Sequence, residues 1–239
     1  RPGCRPDSVI LGVQSEPGSG ARSTVGGMSD IEGIPFGAVD FYEELELYNS
    51  REWWAAHRQR YDTAVRAPME ALAAALEDEF GPSKLFRPNR DVRFSPDKSP
   101  YKTHQGVVVA TASGMGWYVQ VSAAGLMTAA GWYAGTAGQV ARYRAAVDDE
   151  DSGAELQRIV DGLLAAGFVI DGDRLKTRPR GVAEDHPYLE LLRHRTLTAE
   201  RQHGAPEWLP TRGVLEHVAA DWRAYRPLMD WLATRVGEG

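Results

Sequence analysis

Two hydrophobic periods alternate along the chain, and each change of period marks a change of element. From Arg51 to Phe80, the residues Trp54, Tyr61, Val65, Met69, Leu72, Leu76 and Phe80 recur at helical spacing, which lays one apolar stripe along a helix. Pro68 kinks or restarts that helix, because it has no N–H to donate and its ring crowds the preceding turn. Gly81-Pro82 ends it. A shorter helix precedes it over Phe36–Tyr48, with Phe36, Val39, Leu45 and Tyr48 as inward positions. Asn49-Ser50 separates the two, and Ser50 is placed to cap the second by accepting a main-chain N–H.

Past His104 the period becomes two. Gln105–Thr111 contains Val107, Val108 and Val109, and Gly116–Ser122 sets Trp117, Val119 and Val121 against Tyr118, Gln120 and Ser122. Leu126–Tyr133 follows Ala124-Gly125. Short glycine-bearing connections make these three runs an antiparallel meander, with an opening strand expected within Asn89–Ser95.

Helices return over Ala137–Val147 and Ala154–Ala166, on either side of an acidic turn, Asp148–Asp151. Phe168–Ile170 and Arg174–Lys176, around Asp171-Gly172-Asp173, predict a small hairpin. His186-Pro187 opens a helix to about Arg193. From Thr211 a last helix carries Val214, Val218, Trp222 and Tyr225 on one face, before Pro227 begins a further turn towards Val236. Neither repeats nor linkers divide residues 34–239. The fold expected is a single α+β domain: an antiparallel sheet of four or more strands, with helices packed on one face.

Residues 1–33 show neither period and are rich in Gly, Ser, Pro and Arg. Such a segment cannot bury enough apolar surface to offset its ordering entropy, so a disordered tail is expected there. Patterned sequence begins just after Met28, which makes Met28 the expected natural start.

Composition narrows the class of protein. Hydrophobic residues make up 43% of the chain and charged ones 25%, as in ordinary globular domains. No apolar run approaches the length of a membrane span or a signal-peptide core, so a cytoplasmic protein is the default expectation. Cys4 is the only cysteine and lies in the expected tail, which excludes an internal disulfide and a thiolate metal cluster. The net charge of −6 weighs against indiscriminate nucleic-acid binding.

Charge is unevenly distributed. From Lys84 to His104 the chain holds six of its 27 Lys and Arg residues but only two carboxylates, Asp91 and Asp97, so this stretch is +4. Either these groups bind an anion or they satisfy one another in a polar network. An anion site needs forked Arg and point-charge Lys donors converging on one spot. Candidate ligand-binding residues are Arg90, Arg93, Lys98, Tyr101 and Lys102. Asp97 and His104 are the candidates for moving protons, since a histidine titrates near neutral pH. In the competing reading, Asp91 and Asp97 pair with the cations and Tyr101 closes a hydrogen-bonded turn.

The wording of this stretch is distinctive. RDVRFSPDKSPYKTH, with NSREWWAAHRQRY before it and LKTRPRG-VAEDHPYLELLR after it, resembles the bacterial and fungal family labelled domain of unknown function 2461. Its pattern falls on Arg90, Asp91, Arg93, Phe94, Ser95, Asp97, Lys98, Pro100, Tyr101 and Lys102. An Asn-Asn-x-x-Trp-Phe element appears as Tyr48-Asn49 and Trp53-Trp54, departing at its first Asn and last aromatic. The resemblance covers Phe36 to the C-terminus, implies a mixed α+β domain and brings no activity with it.

Other chemistry is thinly marked. Neither Gly-x-x-x-x-Gly-Lys nor Gly-x-Gly-x-x-Gly occurs, so nucleotide hydrolysis by a Walker loop is excluded while the cofactor is left open, and the six histidines form no His-Glu-x-x-His or other tight ligand pair, so no metal site is indicated. Ser95 lacks a nucleophile elbow and reads as a Ser-Pro turn. Tyr118 and Gln120 are placed to line a cleft beside the basic block, which the patch Lys176, Arg178 and Arg180 could join. Three function classes follow: a small-molecule anion binder, with or without turnover; a nucleic-acid module with Tyr118 or Trp53 stacking on bases; and a scaffold whose polar block is architectural.

Overall fold

Burial begins before any regular element. In this computed structural model, which describes residues 31–93 and 95–237, Ile31 and Ile34 already sit in the core. Gly33, at φ +121°, brings the chain so close to Pro210 that an added Cβ would stand 2.2 Å from its carbonyl carbon. Of the expected tail, residues 1–33, the part up to residue 30, with Cys4 and Met28, lies outside the described residues, and Ile31 is buried.

Helix α1 (Gly37–Tyr48) follows, then α2 (Arg51–Tyr61). The hydroxyl of Ser50 accepts the Trp53 N–H at 3.1 Å, satisfying a donor that the first turn leaves unpaired. A π turn over Asp62–Arg66 joins α2 to α3 (Ala67–Phe80). There the Ala67 N–H bonds to the Asp62 carbonyl, five residues back, and Pro68 lands in the first turn of α3. The proline therefore restarts the helix where the ladder has already been widened.

The sheet is built from β1 (Lys84–Leu85), β2 (His104–Ala112), β3 (Met115–Ser122) and β4 (Gly125–Trp132), then β5 (Val169–Asp171) and β6 (Leu197–Gly204). All pairings are antiparallel, in the order β1-β2-β3-β4-β6-β5. Between β4 and β5 lie α4 (Ala137–Asp148) and α5 (Glu150–Ala165), separated only by Asp149, whose side chain accepts the Ser152 N–H at 2.9 Å. The acidic run is therefore a helix start, with Glu150 and Asp151 at the positive end of the α5 dipole. The one-turn α6 (Leu189–Leu192) precedes β6, and α7 (Gly213–Arg235) closes the chain.

The meander β2-β3-β4 forms as its alternation requires, with register pairs such as Val107↔Val119 and Val119↔Thr128. Four local expectations are corrected. Among the described residues of Asn89–Ser95 no strand forms: β1 lies earlier, and Asn89 bridges Tyr101, because Pro88 has no N–H to extend a ladder. Val169–Asp171 pairs with β6 instead of folding back on Arg174–Lys176, and Arg174 bridges His194. β6 itself is a strand that the hydrophobic pattern did not mark. Finally, α7 runs unbroken through Pro227, which is exposed on the outer side of the helix.

Helices cover one face of the sheet. Val107, Val109, Trp117, Val119, Ala130, Trp132 and Leu197 share a buried cluster with Leu72, Leu76, Val218, Trp222, Tyr225 and Leu228. Full burial of one such aliphatic side chain is worth about 1.5–3 kcal/mol. Trp222 stands edge-on to Phe80 at 5.0 Å and donates from Nε1 to the Tyr118 carbonyl at 3.2 Å. The opposite face carries a smaller cluster of Val108, Tyr118, Met127, Ala129 and Tyr133, against which Phe86 packs. No described helix is long and apolar enough to cross a membrane.

Candidate functional site

After β1 the chain stays alongside the segment that leads into β2. Phe86 N–H bonds to Gly106 O at 3.0 Å, Lys102 N–H to Pro88 O at 2.8 Å and Arg90 N–H to Pro100 O at 2.9 Å. Asn49, at the end of α1, clamps the far side by pairing its side-chain amide with both main-chain groups of Tyr101. The Tyr101 ring stacks on Trp54 at 4.1 Å and 11°. Tyr101 is thus an anchor between the basic block and the helices.

Between Arg90 and Pro100 the charged groups of the described residues pair within the loop. Asp91 Oδ1 accepts the Arg93 N–H at 3.1 Å, and Asp97 Oδ1 accepts the Ser99 N–H at 2.9 Å, the local bonds by which aspartates shape turns. Each carboxylate also takes an arginine: Arg93 Nη2 lies 2.6 Å from Asp91, and Arg90 pairs with Asp97. Lys98 donates to the Val92 carbonyl at 2.9 Å. The Arg93 side chain, followed by its main-chain N–H, lowers the Asp91 pKa to about 2. Hydrogen bonds from Ser99, then Arg90, hold Asp97 well below the usual carboxylate range. Asp97 therefore stays ionised at neutral pH.

A second group of cations is arranged differently. The Lys102 ammonium lies 5.0 Å over the Phe86 ring and is half-buried. Desolvation lowers its pKa first, and the neighbouring charges of Arg87 and then Lys84 lower it further. Burial, followed by the charges of Lys102 and Arg90, pushes His104 down to about 4, so it is neutral at physiological pH. Lys84 and Arg87 lie outside the RDVRFSPDKSPYKTH pattern, which begins at Arg90, so the sequence alone does not mark them. The pairing of Lys84 with Val108 across β1 and β2 brings Lys84 to this corner.

Beneath the corner is the helix-free face of the sheet. Phe86 packs on Tyr118, with ring centroids 6.3 Å apart. The Tyr118 ring lies over Gly106, where an added Cβ would meet the Tyr118 hydroxyl at 2.3 Å. That hydroxyl donates to Gln120 Oε1 at 2.9 Å. Tyr118 and Gln120 are buried, so they form the floor under Phe86. Trp53, the other candidate base-stacking residue, is already stacked on His57 at 4.1 Å.

A polar cluster on the helix side escaped the sequence pattern. Asp221 on α7, 3% exposed, accepts Thr128 Oγ1 at 2.6 Å, Arg201 Nη1 at 2.8 Å and His203 Nε2 at 2.7 Å. Arg201 also lies 3.6 Å over the Phe168 ring and donates to the Ala166 carbonyl. Arg201 and His203 share a face because they alternate along β6; without that strand, nothing in the sequence joins them to Asp221. The second basic patch makes local bonds: Arg178 Nη1 donates to Val182 O at 3.0 Å, beside an open hollow of about 450 Å³ lined by Arg178–Ala183.

Comparison with known proteins agrees with the family resemblance and adds no activity. No curated protein matches the sequence. A family model described as "Conserved hypothetical protein (DUF2461)" matches residues 37–231, a span that contains both the Tyr101 clamp and the Lys102 corner, and the chain belongs to that family.

Proposed function

We propose that this chain binds an anionic small molecule, phosphorylated or carboxylate-bearing, at the corner formed by Lys84, Arg87, Lys102 and His104. One observation carries the reading: Lys102 is half-buried on an aromatic ring among other cations, while the carboxylates of the block are engaged elsewhere. An anion placed there relieves repulsion that the fold otherwise has to bear. Arg90 stands beside this corner through its effect on His104. Arg93, Lys98 and Tyr101 act one step removed, by shaping the loop and anchoring it to Asn49 and Trp54. If turnover follows binding, the cations would stabilise developing negative charge and His104 would carry the proton.

The test is a thermal-shift panel of inorganic phosphate, sugar phosphates, nucleotides, oxo acids and short oligonucleotides. A ligand at about 100 times its Kd adds about 2.7 kcal/mol, which raises the midpoint by several degrees for a domain of this size. Wild type and Arg93→Ala should both show the shift, and Lys102→Met should lose it. No response to any small anion, or a full response in Lys102→Met, would overturn the proposal. A steeply salt-dependent response confined to oligonucleotides would move it to nucleic acid.

A further inference from the structure

Lysine is scarce in this chain, and its distribution is uneven. There are 23 arginines but only four lysines, Lys84, Lys98, Lys102 and Lys176, of which three fall in the basic block. Arginine serves wherever a fixed charge and a fork of donors suffice; lysine differs in that it can give up its proton when buried and become a nucleophile. Lys98 is held as a donor to the Val92 carbonyl. Lys102 has its amine on an apolar ring, half out of water, with Arg87 and Lys84 as charge neighbours. Desolvation combined with a nearby cation is the arrangement that activates an amine for attack on carbonyl carbon. The Phe86 ring pulls the other way, since an aromatic face favours a cation, but burial is the leading influence on Lys102 and persists when a ligand enters.

Resting on the anion site proposed above, we infer that Lys102 is an amine nucleophile that forms a Schiff base with a small anionic carbonyl compound of the 2-oxo acid type. Lys84 and Arg87 would hold the carboxylate or phosphate, presenting the adjoining carbonyl to Nζ. The amine lone pair attacks the carbonyl carbon, and the C=O π pair moves onto oxygen. Both amine hydrogens end on that oxygen, relayed by His104 or solvent, and leave with it as water. The nitrogen lone pair then closes the C=N bond, and nothing is oxidised or reduced. Gln120 and Tyr118, buried under Phe86, keep the floor rigid.

The experiment is reductive trapping of the full chain with cyanoborohydride at neutral pH, in the presence of pyruvate, glyoxylate or 2-oxoglutarate. Peptide mapping then reads which lysines carry the adduct. The expected result is at least tenfold more adduct on Lys102 than on Lys98 or Lys176, and disappearance of that adduct in Lys102→Arg without transfer to Lys84. Even labelling of the four lysines would overturn the inference. A phosphate-induced thermal shift of the wild type alongside such even labelling would leave the anion site standing and remove only the covalent step. Absence of both the shift and the selective adduct would remove the two together.

Discussion

Asn49 holds the main chain of Tyr101 with both ends of its amide: Nδ2 donates to the Tyr101 carbonyl at 2.9 Å, and Oδ1 accepts the Tyr101 N–H at 3.2 Å. The two residues are 52 positions apart, so one side chain sets where the basic block meets the helices. Asn49→Ala leaves a partly buried donor and acceptor without partners and should cost about 1–3 kcal/mol, measured as a lower urea midpoint at unchanged m value. Because Lys102 follows Tyr101 directly, the same variant should also bind phosphate more weakly.

Acid stability should report His104. Its pKa falls from 6.5 to about 4 on folding, so between those values the unfolded chain takes up a proton that the folded chain refuses. The contribution is therefore complete above about pH 6.5 and is lost as pH falls towards 4, at about 1.4 kcal/mol per unit at most. His194, also lowered first by burial, adds a loss of the same sign. His104→Gln should flatten part of the decline in a urea-midpoint series from pH 7 to 4, and a bound anion should oppose it by favouring the charged imidazole.

Asp221 collects three donors in a nearly dry site, and a buried ionic group without its partners is costly. Asp221→Ala should destabilise the chain by about 3 kcal/mol in equilibrium unfolding. Arg201 keeps its contacts to Ala166 and Phe168, so the loss should fall at the low end of the range for broken buried pairs. The double variant with Arg201→Met should cost less than the two single changes summed.

Gly106 has room for no side chain while Tyr118 lies across it. Gly106→Ala must push the ring aside and should cost about 1–3 kcal/mol. Combining it with Tyr118→Val should recover part of that loss, read from the unfolding midpoints of the four proteins in the cycle.

The sequence made the scaffold legible where order is local. Helical spacing from Trp54 to Phe80 and alternation from Val107 to Ser122 each mark an element without outside help. β6 was hidden because two inward positions, Arg201 and His203, are charged or polar and are acceptable there only through Asp221, on a helix that follows. The candidate site was legible as a stretch and illegible as a set of partners. Arg90 finds Asp97, seven residues on, whereas Lys102 feels the charges of Arg87 and Lys84, from the other side of the loop. Spacing along the chain cannot separate cations that share a loop from those that share a corner.

Both borders of the sheet are stubs. β1 offers two residues before Pro88 interrupts it, and β5 offers three; they cover Val107–Val108 of β2 and Thr198–Glu200 of β6, while β3 and β4 are paired on both sides. An exposed row of unpaired main-chain groups is what recruits a foreign strand, and the border strands themselves offer rows of only two and three residues. Concentrated protein should accordingly resist growth into cross-β fibres from its folded state, and fibre seeding should depend on partial unfolding that uncovers β2 or β6.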